Sequence, residues 1–274
     1  MESAFDYSKT YYKVVRKNHN HNGFIYKKGL NVLNEPFNDD PNASCVGGRL
    51  YFTDYENLPL FLYHGDLIYE VTIPQGAKVV KDPDGNKWGA DRLILGRCYR
   101  IVEDFNLWFD KEKFDYECGS EELASECPGH FNVWFNKEKF DYECGSDALA
   151  FYCSEHFDKW FDKEKFKYDK VGSFALAARC SEHFDKWFDK ERFNYVKGSE
   201  AIATFCSEHF DKWFYKEKFK YDEDSSFALA ARCSEHFDKW FDEEKFNFDD
   251  TYVVRMLKNN CSDYKHIWGK YVKH

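Results

Sequence analysis

Cys153-Ser-Glu-His-Phe-Asp-Lys-Trp-Phe161 returns almost letter for letter at 180–188, 206–214 and 233–241. A looser copy stands at 127–135, and the fragment Phe105-Asn-Leu-Trp-Phe109 precedes it. The tryptophans at 108, 134, 160, 187, 213, 240 and 268 step by 26, 26, 27, 26, 27 and 28 residues. A fixed period in this range marks a stacked repeat array, where each unit has an apolar face that only the next copy covers.

Within one copy, 146–168, Ser146 or Asp147 reads as the N-cap of a helix that runs through Ala148-Leu-Ala-Phe-Tyr-Cys153. Leu149 and Cys153 are four apart and share a face, as do the equivalent pairs in the other copies. Ser154 reads as the cap of a second helix, 155–161, on which Phe157, Trp160 and Phe161 face inward. Asp162-Lys-Glu-Lys-Phe166 reads as a further turn, capped by Asp162, that folds Phe166 and Tyr168 over the same core. Burying one tryptophan contributes at most about 5 kcal/mol, so removing a central one is expected to open the array there. The blocks 160–187 and 213–240 resemble each other more than the unit between them, which points to duplication of a 53-residue pair. The segment 252–274 keeps Cys261 and Trp268, has Tyr264 where the other copies have histidine, and ends basic and polar, as a terminal cap does.

The chain has 274 residues, 43% hydrophobic and 20% aromatic, enough for a packed core and against wholesale disorder. Its net charge of −10 excludes a general nucleic-acid binder, which carries a basic face. Six of the ten cysteines (127, 153, 180, 206, 233, 261) follow the repeat. Helices stacked roughly 8–10 Å apart hold such residues too far apart for disulfides, so they read as reduced, buried thiols. The first residues have no apolar secretory segment, and no run approaches 18 apolar residues, so no secretion and no membrane insertion is expected. An intracellular location follows.

Cys-x-x-His recurs at 127/130, 153/156, 180/183, 206/209 and 233/236, and two copies could supply a Cys₂His₂ zinc set. The cysteine ends one helix and the histidine starts the next, so the expectation is a core thiol and a histidine bonded to a neighbouring carbonyl, with no metal. His19, His21 and His64 have no nucleophile arrangement around them. Gly47-Gly48 lacks the Lys-Ser/Thr of a phosphate loop, and Asp82 and Asp84 belong to a turn. No enzyme signature and no cofactor site remain.

The copies also compare one another. The two residues before each repeat cysteine vary most: Ser125/Glu126, Phe151/Tyr152, Ala178/Arg179, Thr204/Phe205 and Ala231/Arg232. A varied stripe along an array is where a protein partner would be read, and exposed aromatics favour that use. Phe151, Tyr152, Arg179, Phe205 and Arg232 are therefore expected to line one exposed ridge.

Residues 1–101 lack the repeat. The runs 11–16, 23–29, 50–53, 67–73, 77–80 and 92–95 are β-prone, 57–63 reads as a short helix, and Asp82-Pro-Asp-Gly85 as a turn. Asn20-His-Asn-Gly-Phe, Gly29-Leu-Asn-Val-Leu, Cys45-Val-Gly-Gly-Arg-Leu-Tyr-Phe-Thr53 and Ala90-Asp-Arg-Leu-Ile-Leu-Gly96 resemble the N-terminal domain that precedes repeat arrays in proteins of amoeba-infecting giant viruses of the mimivirus group. The Cys-Ser-Glu-His-Phe-Asp-Lys-Trp repeat is similar to repeats of the same viruses. That resemblance implies an interaction module in the host cytoplasm or the virion. More loosely, Tyr51-Phe-Thr-Asp, Ile68-Tyr-Glu-Val-Thr-Ile-Pro-Gln-Gly76 and Asp91-Arg-Leu-Ile-Leu95 resemble the core of ADP-ribosyltransferase-like folds. There the resemblance implies glutamates where this chain has Ala90 and Arg92, and a cation cannot stabilise an oxocarbenium-like transition state.

The expected architecture is an α+β N-terminal domain, 1–101, followed by an all-α helical-repeat solenoid of about six 26–27-residue units, 102–274. The expected function is a non-enzymatic protein–protein interaction scaffold; the alternative is a degenerate ADP-ribosyltransferase-like, ligand-binding or enzymatic head targeted by the repeats.

Overall fold

A computed structural model describes residues 5–272 except Asn22 and Asn247, so Met1–Ala4 of the N-terminal reading and Asn22 of the quoted motif lie outside the described residues. The chain divides into two compact units, Met1–Asp141 and Tyr142–His274.

In the first unit, short β-branched and aromatic runs form strands β1 (Tyr11–Val15), β2 (Asn20–His21), β3 (Phe24–Ile25), β4 (Gly29–Val32), β5 (Leu50–Phe52), β6 (Leu67–Thr72), β7 (Val79–Lys81), β8 (Trp88–Ala90) and β9 (Arg92–Arg100). One antiparallel sheet has the order β1-β6-β9-β4, another the order β5-β8-β7, and β2 and β3 make a hairpin. Tyr11 faces Val71 across β1 and β6, and the β6–β9 register shifts between Tyr69 and Val71, a bulge. Tyr11, Val15, Phe52, Val71, Leu93 and Leu95 are buried together between the sheets. Leu58–His64 is a 3₁₀ helix with proline at its start, where no amide is missed. The loop before β5 is held by Arg49, whose guanidinium donates to the carbonyls of Asn38 (2.9 Å), Ala43 (2.6 Å) and Asp40.

Past β9 the structure is helical. One-turn helices α1 (Phe105–Trp108), α3 (Phe131–Trp134), α5 (Phe157–Trp160), α7 (Phe184–Trp187), α9 (Phe210–Trp213), α11 (Phe237–Trp240) and α13 (Lys265–Trp268) alternate with longer ones. The longer helices are α2 (Tyr116–Glu126), α4 (Tyr142–Tyr152), α6 (Lys170–Arg179), α8 (Tyr195–Phe205), α10 (Glu223–Arg232) and α12 (Thr251–Asn260). An α+β head followed by a helical-repeat array is thus the observed fold. In the first unit α2 lies directly on the 3₁₀ helix: a Cβ on Gly119 would stand 2.6 Å from Pro59 Cβ, so only glycine allows this approach.

Two helix boundaries differ from the sequence reading. The long helix of the 146–168 copy begins at Tyr142, four residues before Ser146. The side chains that cap such helices include those of Asp115, Asp169, Asn194, Asp222 and Asp250, which accept first-turn amides. Ser146 is buried inside the helix; its hydroxyl donates to Tyr142 O and accepts from Lys167 N near the end of the same copy (3.1 Å). The second helix is not 155–161 but a 3₁₀ turn, Ser154–His156, followed by α5, with no side-chain cap at Ser154 and with Phe161 already extended and half-buried. The turn after it is as read: Asp162 Oδ1 accepts from Glu164 N at 3.1 Å, and Phe166 is buried.

Candidate interaction ridge

The second unit is held by contacts that recur once per copy. Each indole donates to the carbonyl of the cysteine seven residues before it: Trp160 to Cys153, Trp187 to Cys180 and Trp213 to Cys206, all at 2.8 Å. Tyrosine hydroxyls then bond the next copy's tryptophan carbonyl, Tyr168 to Trp187 at 2.5 Å and Tyr195 to Trp213 at 2.6 Å. Trp160, Trp187, Trp213 and Trp240 are fully buried, so the rings are wedged between successive copies rather than turned to water.

The Cys-x-x-His residues belong to the same packing and point to different neighbours. Cys180, Cys206 and Cys233 donate weakly to the carbonyls of Ala150, Ala177 and Ala203 in the preceding helix, at 3.8, 3.8 and 3.7 Å. Burial, then the charge of the following glutamate, pushes each of these thiols up to about 12. Their raised pKa values and their burial fit packing groups and poor nucleophiles. None of the ten cysteines forms a disulfide among the described residues. His183, His209 and His236 stack on Phe157, Phe184 and Phe210 of the copy before, each at 4.3 Å. The carbonyl bond expected from the sequence is made by His130 in the first unit, from Nε2 to Val102 O at 2.8 Å, where the ring also stacks on Phe105. Among the described residues no group of three or more His, Cys, Asp and Glu could hold a metal ion.

In the head, Ala90 is buried at the end of β8, and Arg92 begins β9 with its guanidinium on Asp91 (2.9 Å). Neither position carries a carboxylate. Asp82 and Asp84 both bind the Lys87 ammonium, at 3.2 and 3.3 Å, and the Ser44 hydroxyl lies 2.9 and 2.8 Å from them, so the pair braces the turn. His21 and His64 face each other at 6.4 Å. Burial first, then the nearby Lys13 charge, holds both rings below their usual range, His21 at about 4.

The five ridge residues all lie in the second unit, in the last two positions of α4, α6, α8 and α10. Tyr152 (55% exposed), Phe205 (49% exposed), Arg179 and Arg232 occupy the same place, immediately before the buried cysteine, and Phe151 is half-buried beside Tyr152. The cause is the helical period. The aliphatic residue and the cysteine four later face the core, and the residue just before the cysteine, about 80° from the middle of that face, lies at its margin and stays partly exposed. The variable positions before each cysteine do not account for every exposed or half-buried apolar side chain of these helices. Phe174, half-buried, comes within 6.3 Å of Phe151, and Phe227 and Val171 are exposed on α10 and α6. Their signal was present: Phe174 and Phe227 stand six residues before a repeat cysteine, four before the variable position that the comparison did single out.

No known family profile and no solved structure matches the chain. Among curated sequences it is 39% identical over 104 residues to ankyrin repeat protein R868 of Acanthamoeba polyphaga mimivirus, covering 37% of this chain and 51% of that one. It is 36% identical over 125 residues to protein R869 of the same virus, covering 43% and 83%. Ankyrin repeat protein R896 of that virus is 39% identical over 93 residues, covering 33% and 28%. The chain therefore spans about half the length of R868. Its own repeat of 26–28 residues, one long helix and one single-turn helix, is shorter than the 33-residue two-helix unit that the ankyrin name denotes. No helix among the described residues is long and apolar enough to cross a membrane. With 83% of R869 matched at 36% identity, and with R868 and R896 beside it, the chain belongs to a family of mimivirus repeat proteins.

Proposed function

We propose that this chain is a non-enzymatic scaffold that binds a protein partner along the ridge of long-helix ends, and that it acts in the host cytoplasm or the virion. Residues 1–101 form its head and residues 102–274 its binding array. The observation that carries the reading is the contrast within each copy of the second unit. The positions that join copies are nearly invariant, while Tyr152, Arg179, Phe205 and Arg232, exposed at one equivalent site, differ. Stacking needs the first set and has no use for the second. Large side chains left about half or more exposed, repeated at a fixed place, suit recognition of another chain. The ankyrin name of R868 and R896 points the same way, since repeat arrays of that kind bind proteins through their open faces.

The test is co-purification from infected amoebae, comparing the wild-type chain with a fourfold variant, Tyr152→Ser, Arg179→Ser, Phe205→Ser and Arg232→Ser. The reading expects a discrete partner held by the first and lost by the second, with unchanged thermal stability. A partner retained equally by both chains would remove it.

A further inference from the structure

The ridge is not uniform. Along α4, α6, α8 and α10 the residue before the cysteine runs Tyr152, Arg179, Phe205, Arg232, an alternation of aromatic and cation. The alternation has the 53-residue period of the duplicated pair of units. Beside Tyr152, the half-buried Phe151 lies 6.3 Å from Phe174 of α6, and the equivalent residue of α10, Phe227, is exposed.

The arginines differ from the lysines of the one-turn helices. Exposed lysines of the one-turn helices reach back to a carboxylate of the preceding copy: Lys186 to Asp158, Lys212 to Asp185 and Lys239 to Asp211, each at 2.5 Å. Lys218 does the same with Glu191 at 2.8 Å. Arg179 and Arg232 are exposed and make no ion pair among the described residues. In a chain of net charge −10 with many carboxylates at hand, two unpaired guanidiniums on one line of equivalent positions are free for an outside anion.

We infer that the ridge of α4, α6, α8 and α10 takes an acidic peptide segment in which carboxylate side chains alternate with large apolar ones. This rests on the scaffold reading above and adds the partner's chemistry. Packed helices stand roughly 8–10 Å apart. Three residues of an extended chain cover about that distance, so successive copies meet side chains about three residues apart. Apolar residues lie against the Tyr152 and Phe205 rings, and carboxylates pair bidentately with Arg179 and Arg232. The two charged positions set register, and the aromatic positions supply most of the apolar contact. A nucleic acid would also meet arginine and aromatic rings, so a polyuridylate probe separates it from an acidic peptide.

The test uses the full chain and synthetic probes, a glutamate–tyrosine random copolymer against polyglutamate, a lysine–tyrosine copolymer and polyuridylate, read by fluorescence anisotropy at 50 and 300 mM salt. The inference expects the glutamate–tyrosine copolymer alone to bind, more weakly at the higher salt. It expects affinity to fall at least tenfold in Arg179→Ala/Arg232→Ala and similarly in Tyr152→Ser/Phe205→Ser. Equal binding of polyglutamate or polyuridylate, no binding of the copolymer, or indifference to the arginine pair overturns it. Loss on removing the aromatics alone sinks the acidic-peptide assignment while leaving the ridge as a binding surface. Indifference to both pairs sinks both readings, and circular dichroism of each variant reports that the fold is intact.

Discussion

Tyr264 stands where five earlier copies carry histidine, and its ring lies on Phe237 at 4.4 Å as His236 lies on Phe210 at 4.3 Å. The position therefore requires a flat ring against the preceding phenylalanine. His209→Tyr should leave the urea midpoint nearly unchanged, whereas His209→Ala should lose about 1 kcal/mol, the scale of one aromatic pair. A second residue carries a clear pH signature. Lys13 of β1 is buried, with its ammonium 4.5 Å over the Tyr26 ring and donating to Tyr51 O at 2.7 Å. Burial lowers its pKa from 10.5 to about 7. Between those values the unfolded chain holds a proton that the folded one has released, so through Lys13 stability rises with pH across that window. In Lys13→Met this contribution vanishes. The unfolding free energy of wild type minus variant should then grow by on the order of 3 kcal/mol from pH 7 to 9.5. A constant difference would mean that Lys13 keeps its charge in the fold.

At the scale of the element, each one-turn helix is too short to persist by itself and is held by what its tryptophan touches. Trp213 is fully buried, its indole bonded to Cys206 O, its own carbonyl accepting from Tyr195. Trp213→Ala should cost about 3–5 kcal/mol. Because copies stabilise mainly their neighbours, the loss should be local: amide exchange should speed up in α8 and α10 while β6 and β9 of the head stay protected. Uniform acceleration would contradict nearest-neighbour stacking. The helix boundaries show where sequence reading went astray. Serine caps helices and so Ser146 reads as a cap, but the residue four earlier, Tyr142, is itself buried, and the serine hydroxyl serves the helix interior and the backbone of Lys167 at the end of the same copy. Strand positions in the head were largely legible from their β-branched runs. The pairing order β1-β6-β9-β4 was not, since strand runs carry no label for their partners.

For the whole molecule, the recurring thiols set an alkaline limit. Cys127, Cys153, Cys180, Cys206 and Cys233 are pushed from 9 to about 12, and Cys261 to about 11, burial being the main cause in each. A thiol whose folded pKa is raised contributes fully below pH 9 and loses that contribution as pH climbs toward 12. The urea midpoint should therefore fall progressively above pH 9, and less steeply in Cys180→Ala/Cys206→Ala than in wild type. The periodic spacing, the identity of the buried rings and cysteines, and the variable place before each cysteine could be read from the chain alone. They follow from local periodicity, and internal copies repeat them. What each polar atom meets was settled only in three dimensions: tyrosine hydroxyl to the next tryptophan carbonyl, histidine ring to the previous phenylalanine, cysteine sulfur to an alanine carbonyl. Those partners lie 18 to 30 residues apart, a separation at which side-chain pattern says that a face is buried but not which atom of the neighbouring copy it will touch.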